Sequence, residues 1–514
     1  MSEKVAVFDT TLRDGEQAAG TRLGSREKLI LARQLANLRV DVIEAGYPNS
    51  SPEDFEAVEM IGREVRGPAI CALSRAVPED IEACARALAR CPRPRIHTGI
   101  GASDIHILGK FRDERYGKDL AEKKARILAM AVEAVRMARQ SADDVEFYAE
   151  DAGRAERGYL LEMIRAVIEA GATVVNIPDT TGYSVPEQYG GLIRSISEAA
   201  AGRAAVSVHC HDDLGMAVAN TLAGVLNGAR QVEGTINGVG ERAGNAALEE
   251  VIMALRTRGD YFGLHTDIDS RELQKTSRMV AEMLGIATPP NKAVVGSNAF
   301  SHSSGIHVDG FLKQRETYEI MRPEDVGMEE SRVVLTARTG RHGLRDRMAR
   351  LGYELSEAEL EQAYRRFLAI ADKKREVFDE DLLAIVHGEI QLPGTYHLEY
   401  LHIYSGTSAI PTATVRVRVH EDDIREGAAV GDGPIDAMCR AIAEVTGTKA
   451  RLVRYEIRAV TSGTEAIGDA TVQLDDSGRK VVGRGASTDV IEASALAYID
   501  GLNQLARPAR RSGE

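Results

Sequence analysis

The sequence predicts an α/β protein: a (β/α)8 TIM barrel, then a helical linker region, then a C-terminal α+β domain built on an internal repeat. Three observations predict it. Short apolar runs alternate with amphipathic stretches, and eight such βα units in roughly 260 residues match the size of that barrel. Nearly every run ends in a polar residue, as it does where chemistry gathers at the C-terminal ends of barrel strands. A pattern beginning at Ser405 recurs at Ser462. A doubly wound open sheet is the competing fold, but no Gly-x-Gly-x-x-Gly follows the first run.

The predicted strands are Val5–Asp9, Asp41–Gly46, Ala69–Ser74, Arg95–Gly101, Asp144–Glu150, Thr173–Pro178, Ala205–His209 and Gln231–Gly234. Arg26–Leu38, Leu120–Arg139 and Tyr159–Ala170 read as amphipathic helices between them. The polar ends are Asp9, Glu44, Ser74, His97, Glu150, Asp179, His209 with His211, and Glu233. Ala287-Thr-Pro-Pro-Asn291 is a rigid break, and the polar stretch Gly296–Gly310 follows. Ser356-Glu-Ala-Glu359 is a capping box opening a helix to about Lys374. The expected divisions are 1–270 for the barrel, 271–391 for linker subdomains, 392–508 for the repeat domain and 509–514 for a tail.

Apolar residues make up 44% and charged residues 28% of 514, which excludes a mainly disordered chain. The net charge of −14 argues against a nucleic-acid footprint. No apolar run has the length to span a bilayer, and no signal peptide opens the chain. Five cysteines without a Cys-x-x-Cys pair fit a reducing compartment, so a cytoplasmic protein is expected.

Val206-Ser-Val-His-Cys-His-Asp-Asp-Leu-Gly215 is the sharpest local signal. Side chains alternate on a strand, so His209 and His211 share one face and Cys210 packs on the other. The two imidazoles read equally as ligands of one divalent ion or as a hydrogen-bonded pair at a strand end. Further donors could come from Asp9-Thr-Thr-Leu-Arg-Asp-Gly-Glu-Gln17 and from Asn237-Gly-Val-Gly-Glu-Arg-Ala-Gly-Asn245. Histidine, carboxylate and amide oxygen together suit Mn²⁺, Zn²⁺ or Mg²⁺.

Those three motifs together resemble the Claisen-condensing, metal-dependent TIM-barrel enzymes, and within them the 2-isopropylmalate synthase family. Asp143-Asp-Val-Glu-Phe147, Glu150-Asp-Ala-Gly-Arg154, Asn176-Ile-Pro-Asp-Thr-Thr-Gly-Tyr183, Ser303-Ser-Gly-Ile-His307 and Gly431-Asp-Gly-Pro434 extend the resemblance from residue 4 to about 505. It implies Asp14, His209, His211 and Asn245 as ligands of a divalent metal, Mn²⁺ first, with Mg²⁺ or Zn²⁺ as alternatives. It implies Asp9 as a structural acid and Arg13 as the group that steadies the substrate oxygen or enolate. His97 and Thr180 would line the oxo-acid pocket. Glu150, His307 and Tyr318 would share the acid–base work. Acetyl-CoA and 2-oxoisovalerate are the implied substrates, in a homodimer inhibited by leucine. Thr339-Gly-Arg-His-Gly343 and Val308 depart from the family's usual Ser-Gly-Arg and glutamine.

The last part of the chain repeats Ser405-Gly-Thr-Ser-Ala-Ile-Pro-Thr-Ala-Thr-Val415 as Ser462-Gly-Thr-Glu-Ala-Ile-Gly-Asp-Ala-Thr-Val472. Each copy reads as a ββα-like half, with Gly431-Asp-Gly433 and Gly483-Arg-Gly485 as glycine turns before a helix. Such turns serve tight bends or aim N–H groups at a carboxylate. The resemblance makes this a leucine-sensing regulatory domain, with the effector carboxylate near Gly431, Gly433 or Gly485. Citramalate synthase, acting on pyruvate, is the nearest alternative. Homocitrate synthase and a metal-dependent lyase are further ones, and a non-catalytic amino-acid sensor is the alternative of another class.

Overall fold

In the computed structural model the described residues are 2–506, except 303, 305–306, 308–309, 312, 330–331, 334, 352, 354, 373–376, 378, 387–394, 407, 420–422, 460–467 and 488. The linker boundary at 391/392, the tail, Val308 and Ser462–Ile467 of the second repeat copy lie outside them. The chain forms two compact units, Met1–Val377 and Phe378–Glu514.

The first unit holds a closed barrel of eight parallel strands. These are β1 (Ala6–Asp9), β2 (Val42–Gly46), β3 (Ala69–Arg75), β4 (Pro94–Gly101), β5 (Asp144–Glu150), β6 (Val174–Asp179), β7 (Ala205–Cys210) and β8 (Gln231–Gly234). β1 closes the ring by pairing with both β2 and β8, Ala6 opposite Gln231. Parallel strands covered on both faces read as continuous apolar runs, and β2 and β6 are buried along their whole length. Every expected strand is present to within one residue at each end.

The surrounding helices start where the sequence supplies caps. Ser51 accepts the Asp54 N–H at 3.1 Å with Pro52 in the first turn, and Asp119 accepts the Glu122 N–H at 2.9 Å. Val294, Val295 and Phe300, beyond the barrel, pack into the same apolar core as the barrel helices. The capping box closes as expected. Ser356 N–H donates to Glu359 Oε2 at 2.8 Å, and the helix runs Glu357–Ala371.

The second unit is a double βββα arrangement, not ββα. β9 (Tyr396–Gly406), β10 (Ala409–Val419) and β11 (Asp423–Val430) form one antiparallel sheet, followed by the helix Pro434–Thr446. β12 (Arg451–Ala459), β13 (Gly468–Asp476) and β14 (Arg479–Ser487) form the other, followed by Val490–Ala506. The extra strand of each half precedes the repeated motif.

The register also corrects the glycine reading. Val415 and Val472, equivalent in the repeat, pair with Gly427 and Gly483. Gly483 and Gly485 therefore lie inside β14 rather than in a turn. A Cβ on Gly483 would sit 2.1 Å from the Ala497 carbonyl, and one on Gly485 2.4 Å from that of Ala493. They let a helix press onto a strand, as Gly427 does against Val445. Gly431 and Gly433 do form the turn into a helix, with Gly433 as its N-cap.

Candidate active site

The last residues of β1, β7 and β8 and the loops after them bring the expected metal donors together. Nε2 of His209 lies 3.3 Å from Nε2 of His211. Asp14 Oδ2 lies 3.3 Å from the first and 3.8 Å from the second. A cation with bonds of about 2.1 Å and angles between 90° and 109° needs donors about 3.0–3.4 Å apart. Asn245 stands beside His211 as its bridge partner. Its amide N–H donates to the Val239 carbonyl at 3.1 Å, and this leaves Oδ1 buried with no hydrogen-bond partner. Asp14 Oδ2 is likewise buried and unpartnered. Buried polar atoms are normally satisfied. Two orphaned oxygens beside two ring nitrogens fit a divalent cation.

The loop that carries Asn245 needs its glycines. Gly244 has φ +91°, and a Cβ there would sit 2.0 Å from the Gly238 carbonyl. Asn237, at φ 64°, opens the loop and is tied to Ser277 through both side-chain atoms.

Arg13 lies against the cluster, its Nη1 3.4 Å from Asp14 Oδ1. Its Nε donates to Glu44 Oε2 at 2.7 Å, and Glu44 also accepts from Thr10 at 2.6 Å. His97 is buried, with Nδ1 2.8 Å from the other oxygen of Glu44. Burial disfavours the Glu44 charge, but Arg13 and His97 outweigh it and hold the carboxyl at about 2. For Asp14 burial is again the largest influence, and Arg13 with His209 overcomes it, so the carboxyl stays well below its ordinary range. Asp9 accepts the Thr11 N–H and hydroxyl at 2.9 and 3.1 Å, and burial pushes its carboxyl up to about 7. Cys210 is a fully buried free thiol.

The remaining expected residues fall in two places. Glu150 accepts from Lys110 at 2.5 Å and faces His106 at 3.6 Å. Thr180 accepts the Asp151 N–H at 2.9 Å, and its carbonyl accepts from Arg242. His307 and Tyr318, both exposed in the first unit, have ring centroids 4.3 Å apart at 34°. Arg95, Glu146, Asn176 and Gln231 are site-supporting residues that the strand-end rule does not reach. Their signal is a charge or an amide in the first half of a strand that is otherwise apolar and buried.

The chain compares closely with known proteins. Residues 4–280 match the HMGL-like family model, 294–375 the homocitrate synthase post-HMGL domain-like model, and 376–506 the LeuA allosteric (dimerisation) domain. It is 52% identical over 508 residues to a 2-isopropylmalate synthase of Heliobacterium modesticaldum, across 98% of this chain and 97% of that one. It is 52% identical over 509 residues to one of Pelotomaculum thermopropionicum, across 98% and 99%. The chain belongs to the 2-isopropylmalate synthase family. It is accordingly an enzyme of the transferase class, built as that family's barrel with a C-terminal LeuA domain. Among the described residues no helix is long and apolar enough to cross a membrane.

Proposed function

We propose that this chain condenses acetyl-CoA with 2-oxoisovalerate, and with water yields 2-isopropylmalate and free CoA, the first committed step of leucine synthesis. The observation that carries this is the convergence of Asp14, His209 and His211 with Arg13 beside them. Asp14, His209, His211 and Asn245 would hold the divalent cation, Mn²⁺ before Mg²⁺ or Zn²⁺. When bound it supplies a Lewis acid for the oxo group of the oxo acid.

The chain's own groups supply the rest. Arg13 is fixed at Nε by Glu44, which leaves its outer N–H groups for the oxygen that gains charge in the acetyl-CoA enolate. His97, held by Glu44 through Nδ1, keeps its unpartnered Nε2 for the oxo-acid pocket. Thr180 accepts a backbone N–H and keeps its own O–H to donate to the oxo-acid carboxylate. His307 with Tyr318 is assigned to proton removal from the acetyl methyl. Burial opposes the Glu150 charge, but His106 and Lys110 hold its carboxyl at about 2, so it remains ionised and suits orienting the water that cleaves the thioester.

In this reading residues 1–270 are the catalytic barrel, 271–391 add linker subdomains, 392–508 bind leucine and 509–514 are a tail. The enzyme works in the cytoplasm as a homodimer, with the LeuA domain supporting both dimerisation and feedback. A Cβ on Gly433 would meet nothing within 4 Å, so its helix N-terminus favours the leucine carboxylate better than Gly431 or Gly485.

The test is release of CoA thiol with Mn²⁺ or Mg²⁺, acetyl-CoA and, in parallel, 2-oxoisovalerate, pyruvate and 2-oxoglutarate, with and without leucine. Preference for 2-oxoisovalerate, suppressed by leucine, is expected. Preference for pyruvate would reassign the enzyme to citramalate formation, and no turnover with any oxo acid would refute the reading.

A further inference from the structure

Barrel interiors are ordinarily filled by branched apolar side chains. Here one layer is polar. Arg95 donates to Glu146 Oε2 at 2.9 Å and to Gln231 Oε1 at 2.7 Å. Gln231 in turn donates to Glu146 Oε1 at 2.8 Å and to Ser207 Oγ at 2.9 Å. Next along β8 on the same inward face is Glu233, with no exposed surface. Its two oxygens accept from Ser207 Oγ and Asn176 Nδ2, both at 2.7 Å.

His209 and Glu233 are register partners on neighbouring parallel strands. Their side chains therefore point the same way, and His209 Nδ1 comes 3.3 Å from Glu233 Oε2. We propose that Glu233 is a positioning residue for the cation site. It accepts the Nδ1 proton of His209 and fixes the plane and tautomer of that ring, so that Nε2 faces Asp14 and His211.

Chemistry and cost both support this. An imidazole that offers the Nε2 lone pair carries its proton on Nδ1, and a buried N–H needs an acceptor. A buried carboxylate costs several hydrogen bonds' worth of desolvation, and an apolar residue of similar size would stabilise the barrel better. Two side chains, Ser207 from β7 and Asn176 from β6, are nevertheless committed to holding this one. Neither ring's Nδ1 makes a hydrogen bond of full geometry among the described residues, but His209 Nδ1 has a carboxylate oxygen 3.3 Å away, and no carboxylate contact is found at Nδ1 of His211 among them. His209 is thus the anchored ligand and His211 the adaptable one.

The inference rests on the cation-site reading above, and the experiment separates the two. Mn²⁺ affinity of the full chain is measured from the free-ion EPR signal, without substrates, for wild type, Glu233→Gln, Asn176→Ala and His209→Ala. Glu233→Gln keeps the shape but removes the anionic acceptor. It is expected to weaken Mn²⁺ by about 10-fold or more. Asn176→Ala keeps the carboxylate but unties it, and a loss of a few-fold is expected. Saturating Mn²⁺ should restore much of the turnover of Glu233→Gln, which a purely structural defect would not allow. Wild-type Mn²⁺ affinity in folded Glu233→Gln overturns the proposal. Should that variant not fold, wild-type affinity in Asn176→Ala overturns it instead. Unchanged affinity in His209→Ala would remove the cation site itself.

Discussion

The two units bury different things. The first buries Asp14, Glu44, Arg95, His97, Glu146, Glu233 and Glu249. In the second, among the described residues, the buried polar side chains are the uncharged Thr446 and Ser494; both hydroxyls bond within their own helix, and that of Ser494 also meets the Tyr455 hydroxyl. Its core is small and apolar, with Ala413, Ala437, Ala441, Ala470, Ala493 and Ala497 fully covered. Charge is buried where oxygen and nitrogen must be aimed at a reacting group. Small residues are buried where a helix and a sheet must lie close. The barrel is thus organised by partner choice, and the repeat by distance.

Substitutions can break that contrast, beginning with the largest expected effect. Asp14→Asn removes the anionic donor, and turnover should fall by at least about 10²-fold with weaker metal retention, read by thiol release and metal analysis. Glu44→Gln removes the nearer of the two buried counter-charges of Arg13 and should cost about 3 kcal/mol in chemical unfolding of the barrel. Gly483→Val forces a side chain into the Ala497 carbonyl. It should destabilise the second unit by about 3 kcal/mol. Leucine sensitivity should vanish while uninhibited turnover stays within about three-fold. Equal loss of both would mean that the units are not separable in this way.

Acid sharpens the comparison further. The Glu150 carboxyl lies at about 2 against an ordinary 4.5, since His106 and Lys110 outweigh its burial. Its contribution is complete above the ordinary value and is lost as pH falls through the folded one. Glu150→Gln should be about 2 kcal/mol less stable than wild type at pH 6, and that gap should close towards pH 2. The smallest effect is expected at Ser356→Ala, which removes a helix cap for about 1 kcal/mol, seen as a slightly lower Tm.

The eight strands were legible because parallel strands give apolar runs and these end in polar residues. The pairing of His209 with His211 followed from alternation alone. The polar layer beneath them did not. Alternation shows which way Glu146 and Glu233 point, but not that Arg95, 51 positions before Glu146 in the sequence, reaches it directly inside the barrel. The repeat was legible from Ser-Gly-Thr and the alanines after it. Its glycines misled, because a glycine in a turn and one under a helix look alike until register matches Gly483 to Gly427.

Barrel closure has a consequence for biosynthesis. β1 hydrogen-bonds to β8, and Asp14 from the first loop meets His209 and His211, the second of which bridges to Asn245 from the last loop. A nascent chain shorter than 245 residues lacks part of the proposed donor set, which can assemble only once the eighth strand has left the ribosome and paired with the first. Ion retention by chains released at successive lengths would report the moment at which the ring shuts.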